Sequence, residues 1–264
     1  ALFELRMLFY DKYPIWLEDL YIDIKAMMNQ CESRIIRIIA FLLKNKITSN
    51  GNYIYKQEEY LVDQAKSCVV QNGEFIIDEL LQYIPKKSIR KIVHSGWSNK
   101  NLNQTTLERV VVELLKKANI IIINKNPESF WKYYCPYMGK NYAIFNELIL
   151  HGMQYLPQSY SNCIIKYLAE DIDKRMFEYT SGNKNELELS KSIIKKHILY
   201  CSKECLQMFC QKVAKYISPE SLSWYKSRIE TNKQKRYDPV YLSFWGDFQY
   251  EILQCIPQKQ LESK

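Results

Sequence analysis

Apolar residues recur along the chain at the three- and four-residue spacing of amphipathic helices. The stretch 105–118 begins with Thr105 and Glu108, which together form the capping box of a helix N-terminus. One face of this predicted helix carries Leu107, Val110, Val111, Leu114, Leu115 and Ala118. A second stripe at helical spacing comprises Leu206, Phe209, Cys210, Val213, Ala214 and Ile217. Strand-like patterns are confined to residues 52–55 and 120–123, so the sequence predicts a nearly all-α fold.

Proline marks both ends of the predicted helices. Three helices are expected to begin with a polar cap and then proline at the first helical position, at Asn126-Pro127, Ser218-Pro219 and Asp238-Pro239. Elsewhere an apolar helix end runs through a proline turn into the next helix, at positions 85, 157, 219 and 257. These intervals are too uneven for a repeat of fixed period. The sequence therefore predicts an irregular α-solenoid of stacked antiparallel helix pairs.

The predicted solenoid has a candidate boundary near residues 95–104, a segment rich in Asn and Ser. We place N-terminal helical hairpins in residues 1–100 and a C-terminal helical-repeat segment in residues 101–264. One continuous solenoid across both segments is the alternative.

Composition narrows the function classes. Of the 264 residues, 47% are apolar and 25% are charged, which is typical of a globular protein with a core. Only 7 glycines occur, and the forms GxxxxGKS/T, GxGxxG, HExxH and GxSxG are absent. We therefore expect no catalytic centre, no cofactor and no metal in this chain.

Three features of the sequence concern the location of the protein in the cell: its N-terminus, its apolar runs and its cysteines. It opens at Ala1 in an amphipathic pattern without a signal peptide, so we expect a piece of a longer or a processed polypeptide. No apolar run approaches the roughly 18 residues of a transmembrane helix, and we expect no membrane partner. Eight cysteines are spread through the predicted helices, many of them among core-type residues, which predicts reduced, buried thiols and a cytoplasmic location. The net charge of +8 is spread along the chain.

Two clusters of side chains are candidates for a metal site or a catalytic site. His197, Cys201, Cys205 and Cys210 would offer zinc ligands if they shared one helix, but Ser202 has the features of a new N-cap that would break it. Core cysteines are therefore the preferred interpretation. The acidic trio Glu170, Asp171 and Asp173 is expected at a solvated helix end rather than in an acid–base site.

The remaining candidate site is a surface for a partner protein. Aromatic side chains dominate interface hot spots, and they are concentrated in residues 130–137 and 244–250. A core role is the preferred interpretation for most of these aromatic residues, with some exposed at a concave edge. Residues 224–237 mix basic and aromatic side chains, a composition that could instead stack bases and neutralise phosphates. The candidate partner-binding residues are Trp131, Tyr133, Tyr134, Trp224, Tyr225, Arg228, Lys235, Arg236 and Tyr237.

Three spaced features occur in order between residues 163 and 261. The first is an apolar helix with an acidic turn, CIIKYLAEDIDKRMFEYTSGN (163–183), and the second is a helix that runs into CSKECL (201–206). The third is GDFQYEILQCIPQKQL (246–261), which fits G-x-x-Q-Y-x-L-L-x-x-I-P-x-x-x-L at Gly246, Gln249, Tyr250, Leu253, Ile256, Pro257 and Leu261. In this order they resemble the C-terminal helical region of large bacterial STAND NTPases, the AVAST-type antiphage sensors and their relatives.

The resemblance implies a role for the chain within a larger machine. Members of this family combine an N-terminal effector domain, a central NTPase and a helical sensor arm that binds a phage protein. Because this chain has no Walker A motif, the resemblance implies that it belongs to the sensor arm and is not itself an enzyme. The implied partners are a phage-encoded protein, the rest of its own polypeptide and further copies of the parent, but not nucleic acid. The alternative hypothesis is a helical nucleic-acid-binding module that uses residues 224–237.

Overall fold

The computed structural model describes residues 8, 12, 33–44, 62–86, 106–140, 142–176, 187–216 and 248–258. Helices and the turns between them make up these residues, and no strand occurs among them. The prediction of an all-α fold is confirmed, whereas the solenoid arrangement stays a prediction. Among the described helices, none is long and apolar enough to span a membrane.

The described helices range from 4 to 20 residues in length. They are α1 (Ser33–Lys44), α2 (Gly73–Leu80), α3 (Thr106–Lys125), α4 (Pro127–Tyr134), α5 (Ala143–Met153), α6 (Ser161–Glu170), α7 (Ile172–Arg175), α8 (Glu188–His197) and α9 (Lys203–Lys215). Residues 62–67 and 248–253 are also helical. Single 3-10 turns extend α2, α4 and α8 and precede α6.

The chain divides into two compact units, and it passes from one unit to the other more than once. The first unit comprises Ala1–Pro85 and Leu102–Cys135, and the second comprises Lys86–Asn101 and Pro136–Lys264. This division differs from the one drawn at residue 100 from the sequence. The physical reason is that α3 packs against α1 and α2, which keeps it with the helices before it.

The first unit is built around α3. All six residues of its apolar stripe are buried, as the helical spacing predicted. Ile120–Ile123, a strand candidate in the sequence, lies inside α3, so that candidate is wrong. Gly73 at the start of α2 lies so close to α3 that a Cβ atom there would stand 2.7 Å from the carbonyl oxygen of Ala118. The packing of α2 on α3 therefore depends on a residue without a side chain.

The second unit is built around α5 and α6. Residues 143–150 of α5 are buried on every side, as expected for a helix inside a core. Helix α6 contacts α7, α8 and α9. On α9 the predicted stripe is confirmed at Phe209 and Val213, but Ala214 is exposed and Ile217 lies outside the described residues. Around α6, these contacts bring the acidic turn that follows it close to the end of α9.

Candidate functional site

An open groove of about 520 Å³ lies on the second unit, between residues 169–172 and the C-terminal half of α9. Its first wall is formed where α6 ends and α7 begins, by Ala169, Glu170, Asp171 and Ile172. Its second wall is formed by Met208, Gln211, Lys212, Lys215 and Tyr216. The volume is in the range of ordinary ligand sites, and the lining combines charged and apolar groups.

The first wall owes its shape to Asp171, which interrupts the helical backbone between α6 and α7. Its Oδ1 atom accepts a hydrogen bond from the backbone N–H of Lys174 at 3.3 Å, which caps α7. Its Oδ2 atom lies 2.6 Å from the Nζ atom of Lys174. The neighbouring Glu170 forms an ion pair with Arg175. Both carboxylates of the first wall therefore already have a cationic partner, and both partners lie in α7.

Arg175 is held from several directions. Its guanidinium group donates to the carbonyl oxygen of Tyr167 at 3.1 Å and lies 4.4 Å from the centre of that ring. Gly139 has a φ of 70°, a conformation that favours glycine, and a Cβ atom there would stand 2.8 Å from the guanidinium. Burial raises the pKa of the Tyr167 hydroxyl to about 12. These contacts fix the position of the cation that neutralises Glu170.

The second wall carries positive charge that lacks such a partner. Ser202 caps α9 by accepting from the N–H of Cys205, and the last turn of the helix presents Lys212 and Lys215. Both lysines are exposed, and neither ammonium group forms an ion pair with any residue in the described part of the chain. Below them, the carbonyl oxygen of Tyr216 accepts a 3.0 Å hydrogen bond from the amide of Gln249. The groove thus has one neutralised wall and one cationic wall.

A serine–histidine pair lies elsewhere in the same unit, in the core. The Oγ atom of Ser161 lies 3.0 Å from Nδ1 of His197, and Nε2 of His197 lies 3.2 Å from the carbonyl oxygen of Met153. A carbonyl only accepts, so Nε2 carries the hydrogen and Nδ1 accepts from the serine hydroxyl. Burial lowers the pKa of His197 to about 4.

This pair joins helix ends and does not form an open site. Both side chains have 0% of their surface exposed, so no substrate reaches the hydroxyl. The imidazole connects the end of α5, the start of α6 and the end of α8. This pairing could not be predicted from the sequence, because Ser161 and His197 lie far apart in the chain without a local motif.

The histidine–cysteine cluster is divided as Ser202 predicted. His197 ends α8, and Cys205 lies in the first turn of α9 after the Ser202 cap. Burial, with the neighbouring thiol of Cys205 as a second cause, raises the pKa of Cys201 to about 12. Among the described residues, no group of three or more His, Cys, Asp or Glu side chains is arranged to hold a metal ion.

The described cysteines are all free thiols, but they are not all buried. Cys68, Cys205 and Cys255 lie in the core, in line with the sequence-based expectation. Cys135 and Cys163 are exposed, which corrects it.

The predicted partner-binding residues of α4 have different surroundings. Tyr134 is fully buried and packs on Phe130 with ring centres 5.0 Å apart, so its assignment to a binding surface is corrected to a core role. Trp131 and Tyr133 are half-buried. Burial and a hydrogen bond to Asp78 raise the pKa of Tyr133 to about 12. This tyrosine is thus tied to the first unit's own surface.

The other six predicted partner-binding residues lie outside the described residues. They are Trp224, Tyr225, Arg228, Lys235, Arg236 and Tyr237. The nucleic-acid alternative, which depends on residues 224–237, therefore stays a hypothesis. The same holds for the predicted helix starts at Pro219 and Pro239.

The structure also shows exposed apolar side chains that the sequence did not single out. Tyr155 follows α5, and Leu199 and Tyr200 follow α8, with 41%, 46% and 51% of their surface exposed. Lys196 connects these two helix ends, because its Nζ atom donates to the carbonyl oxygens of Gln154 and Leu156. These three side chains therefore add apolar surface near the ends of α5 and α8.

Comparison with models of known protein families, with curated proteins and with solved structures finds no match to this chain.

Proposed function

We propose that this chain is a protein-recognition segment of a larger antiphage STAND NTPase. In this proposal it binds a phage protein, and binding triggers oligomerisation of the parent and activates its effector. The nucleotide chemistry and the effector lie in other parts of the parent polypeptide. The segment contributes recognition and no catalysis of its own.

The observation that carries the proposal is the position of the groove within the segment that resembles the sensor arm. All three matching features lie between residues 163 and 261, and every described residue that lines the groove falls within the same range. A helical scaffold that presents a groove and exposed tyrosines is suited to holding another protein. The described lining combines charged and apolar side chains, a composition that supports binding of a protein segment.

The test uses the full-length parent. A tagged parent is recovered from phage-infected and from uninfected cells, and proteins that copurify only after infection are identified by mass spectrometry. We expect a phage-encoded protein at near-stoichiometric amounts, together with a nucleotide-dependent increase in the size of the parent complex. A parent without any NTPase motif, or a parent that recovers no phage protein during a productive infection, would contradict the proposal.

A further inference from the structure

We propose that the groove between residues 169–172 and α9 binds an acidic peptide segment of the partner protein. The inference rests on the proposed function and adds the chemistry of the segment that is recognised. The segment carries carboxylates toward Lys212 and Lys215 and places an apolar side chain between the walls.

The charges of the two walls determine the sign of the ligand. Glu170 and Asp171 are neutralised by Arg175 and Lys174, so the first wall contributes little net field. Lys212 and Lys215 stand one helical turn apart on the second wall without an ion-pair partner among the described residues. The uncompensated charge of the groove is therefore positive. Complementary charge across an interface supplies specificity and accelerates association.

The apolar surface of the groove determines the other part of the ligand. Ile172 and Ala169 are almost fully buried and form the base of the first wall, and the half-buried Met208 lies on the second. Methionine is flexible and polarisable, which lets it adapt to the shape of an inserted side chain. One apolar side chain of the ligand would cover this surface while its acidic neighbours meet the lysines.

A peptide fits this groove better than a nucleic acid does. A nucleic-acid strand carries a negative charge at every nucleotide, so it would bring phosphates toward both walls at once. Glu170 and Asp171 would then lie beside phosphates. A peptide places its carboxylates on one side and turns neutral or apolar groups toward the first wall. Two lysines also fall short of the basic stripe that tracks a phosphate backbone.

The experiment measures binding of labelled peptides to the full chain by fluorescence anisotropy at low salt. The probe is a fluorescein-labelled pool of short peptides with a central Phe, Leu or Met flanked by Asp, Glu, Ser and Gly. A second pool has Asn and Gln in place of Asp and Glu. We expect saturable binding of the acidic pool, weaker binding as salt rises, and no binding of the neutral pool.

Variants on both walls assign the binding to the groove. The double variant Lys212→Glu with Lys215→Glu is expected to weaken binding at least about tenfold. The matched control, Lys195→Glu with Lys203→Glu, makes the same charge change at exposed lysines outside the groove and is expected to stay within about twofold. Glu170→Gln frees Arg175 and removes a carboxylate, so it is expected to tighten binding several-fold. Circular dichroism verifies that each variant is folded.

Three results would overturn the inference. They are absence of binding by the acidic pool, equal losses of affinity in the two lysine double variants, and displacement of the pool by a single-stranded oligonucleotide at lower concentration than by unlabelled peptide.

Failure of the proposed function gives a different result. If the parent recovers a phage protein and its Lys212→Glu, Lys215→Glu form recovers as much, the groove is excluded while the function stands. If the parent recovers none although the acidic pool binds the groove, the function fails and the groove remains.

Discussion

At the end of α8, the imidazole of His197 lies between the hydroxyl of Ser161 and the carbonyl oxygen of Met153, with no exposed surface. Sequence alone predicted neither the partner nor the burial, because both depend on where three helix ends meet. The hydroxyl and the imidazole have the spacing of a nucleophile and its base, but their complete burial makes them a structural junction. A buried neutral histidine of this kind makes stability depend on pH.

The first prediction concerns this pH dependence. Folding lowers the pKa of His197 from 6.5 to about 4, so the unfolded chain binds more protons between these values. Its contribution to stability is complete above about pH 6.5 and decreases as the pH falls toward 4, by roughly 3 kcal/mol in total. Urea unfolding near pH 7 and near pH 4.5 measures the loss for the wild type and for His197→Gln. The variant should be less stable near pH 7 and should lose less on acidification.

Ser161→Ala is the matched control for this prediction. It removes a hydrogen bond from the same junction but leaves the titrating imidazole in place. The variant should therefore be destabilised at both pH values and should keep most of the wild-type loss on acidification. An unchanged pH dependence in His197→Gln would show that other groups cause the loss.

At the scale of the helices, the N-terminal caps are the feature that the sequence predicts well. Asn126 caps α4 and Ser202 caps α9, as the local sequence indicated, because a cap is decided within three residues of the chain. The isoleucines of residues 120–123 were misleading, because packing of α3 against α1 and α2 outweighs the strand preference of a short β-branched run. Local chemistry therefore predicts where helices begin, and tertiary contacts decide the ambiguous runs.

The second prediction tests the cap of α9. Ser202→Ala removes the oxygen that accepts from the N–H of Cys205 and should cost about 1 kcal/mol of the free energy of unfolding. Ser202→Gly should cost only a few tenths of a kcal/mol, since glycine also serves as a cap. The hydrogen bond from the Ser202 N–H to Asn162 is a backbone donation and remains in both variants. Urea unfolding measures the two costs, and a glycine variant less stable than the alanine variant would contradict the cap.

The third prediction concerns the contact of α2 with α3. A methyl group at position 73 would meet the backbone oxygen of Ala118 at 2.7 Å, and two isoleucine side chains at 3.1 and 3.2 Å. Because backbone atoms cannot turn aside as a side chain can, Gly73→Ala should destabilise the protein by about 1–3 kcal/mol. Thermal or urea unfolding measures it. The neighbouring Glu74→Ala removes an exposed ion pair with Lys125 and the carboxylate in the first turn of α2, and it should cost less than about 1 kcal/mol. Equal costs would contradict the close packing.

For the molecule as a whole, the sequence predicted the fold class but not the division into units. The helical periodicity is local, whereas the pairing of α3 with α1 and α2 joins residues that are far apart in the chain. The groove was missed for the same reason. Its acidic turn was recognised as a helix end, and its lysines belonged to a helix of ordinary composition. Only the contact between α6 and α9 brings them together.

The fourth prediction uses the cysteines as reporters distributed over both units. Cys135 and Cys163 are exposed, while Cys68, Cys205 and Cys255 are buried, and burial raises the pKa of the latter two thiols. Since the thiolate is the reactive form, buried thiols with raised pKa react slowly. Brief treatment of the folded chain with iodoacetamide near pH 8 should label Cys135 and Cys163 first, as mass spectrometry of peptides would measure.

The same labelling, repeated at increasing urea concentration, measures the stability of each unit separately. Cys68 reports on the first unit, and Cys205 and Cys255 report on the second, so each unit has a protected thiol of its own. A single cooperative transition would expose all three at one urea concentration, and separate transitions would expose Cys68 at a different concentration from the other two. Labelling of Cys205 in the folded chain as fast as Cys163 would contradict the packing of α9 on α6. Because that packing also forms the groove, the rate at Cys205 indicates whether the proposed binding site exists in solution.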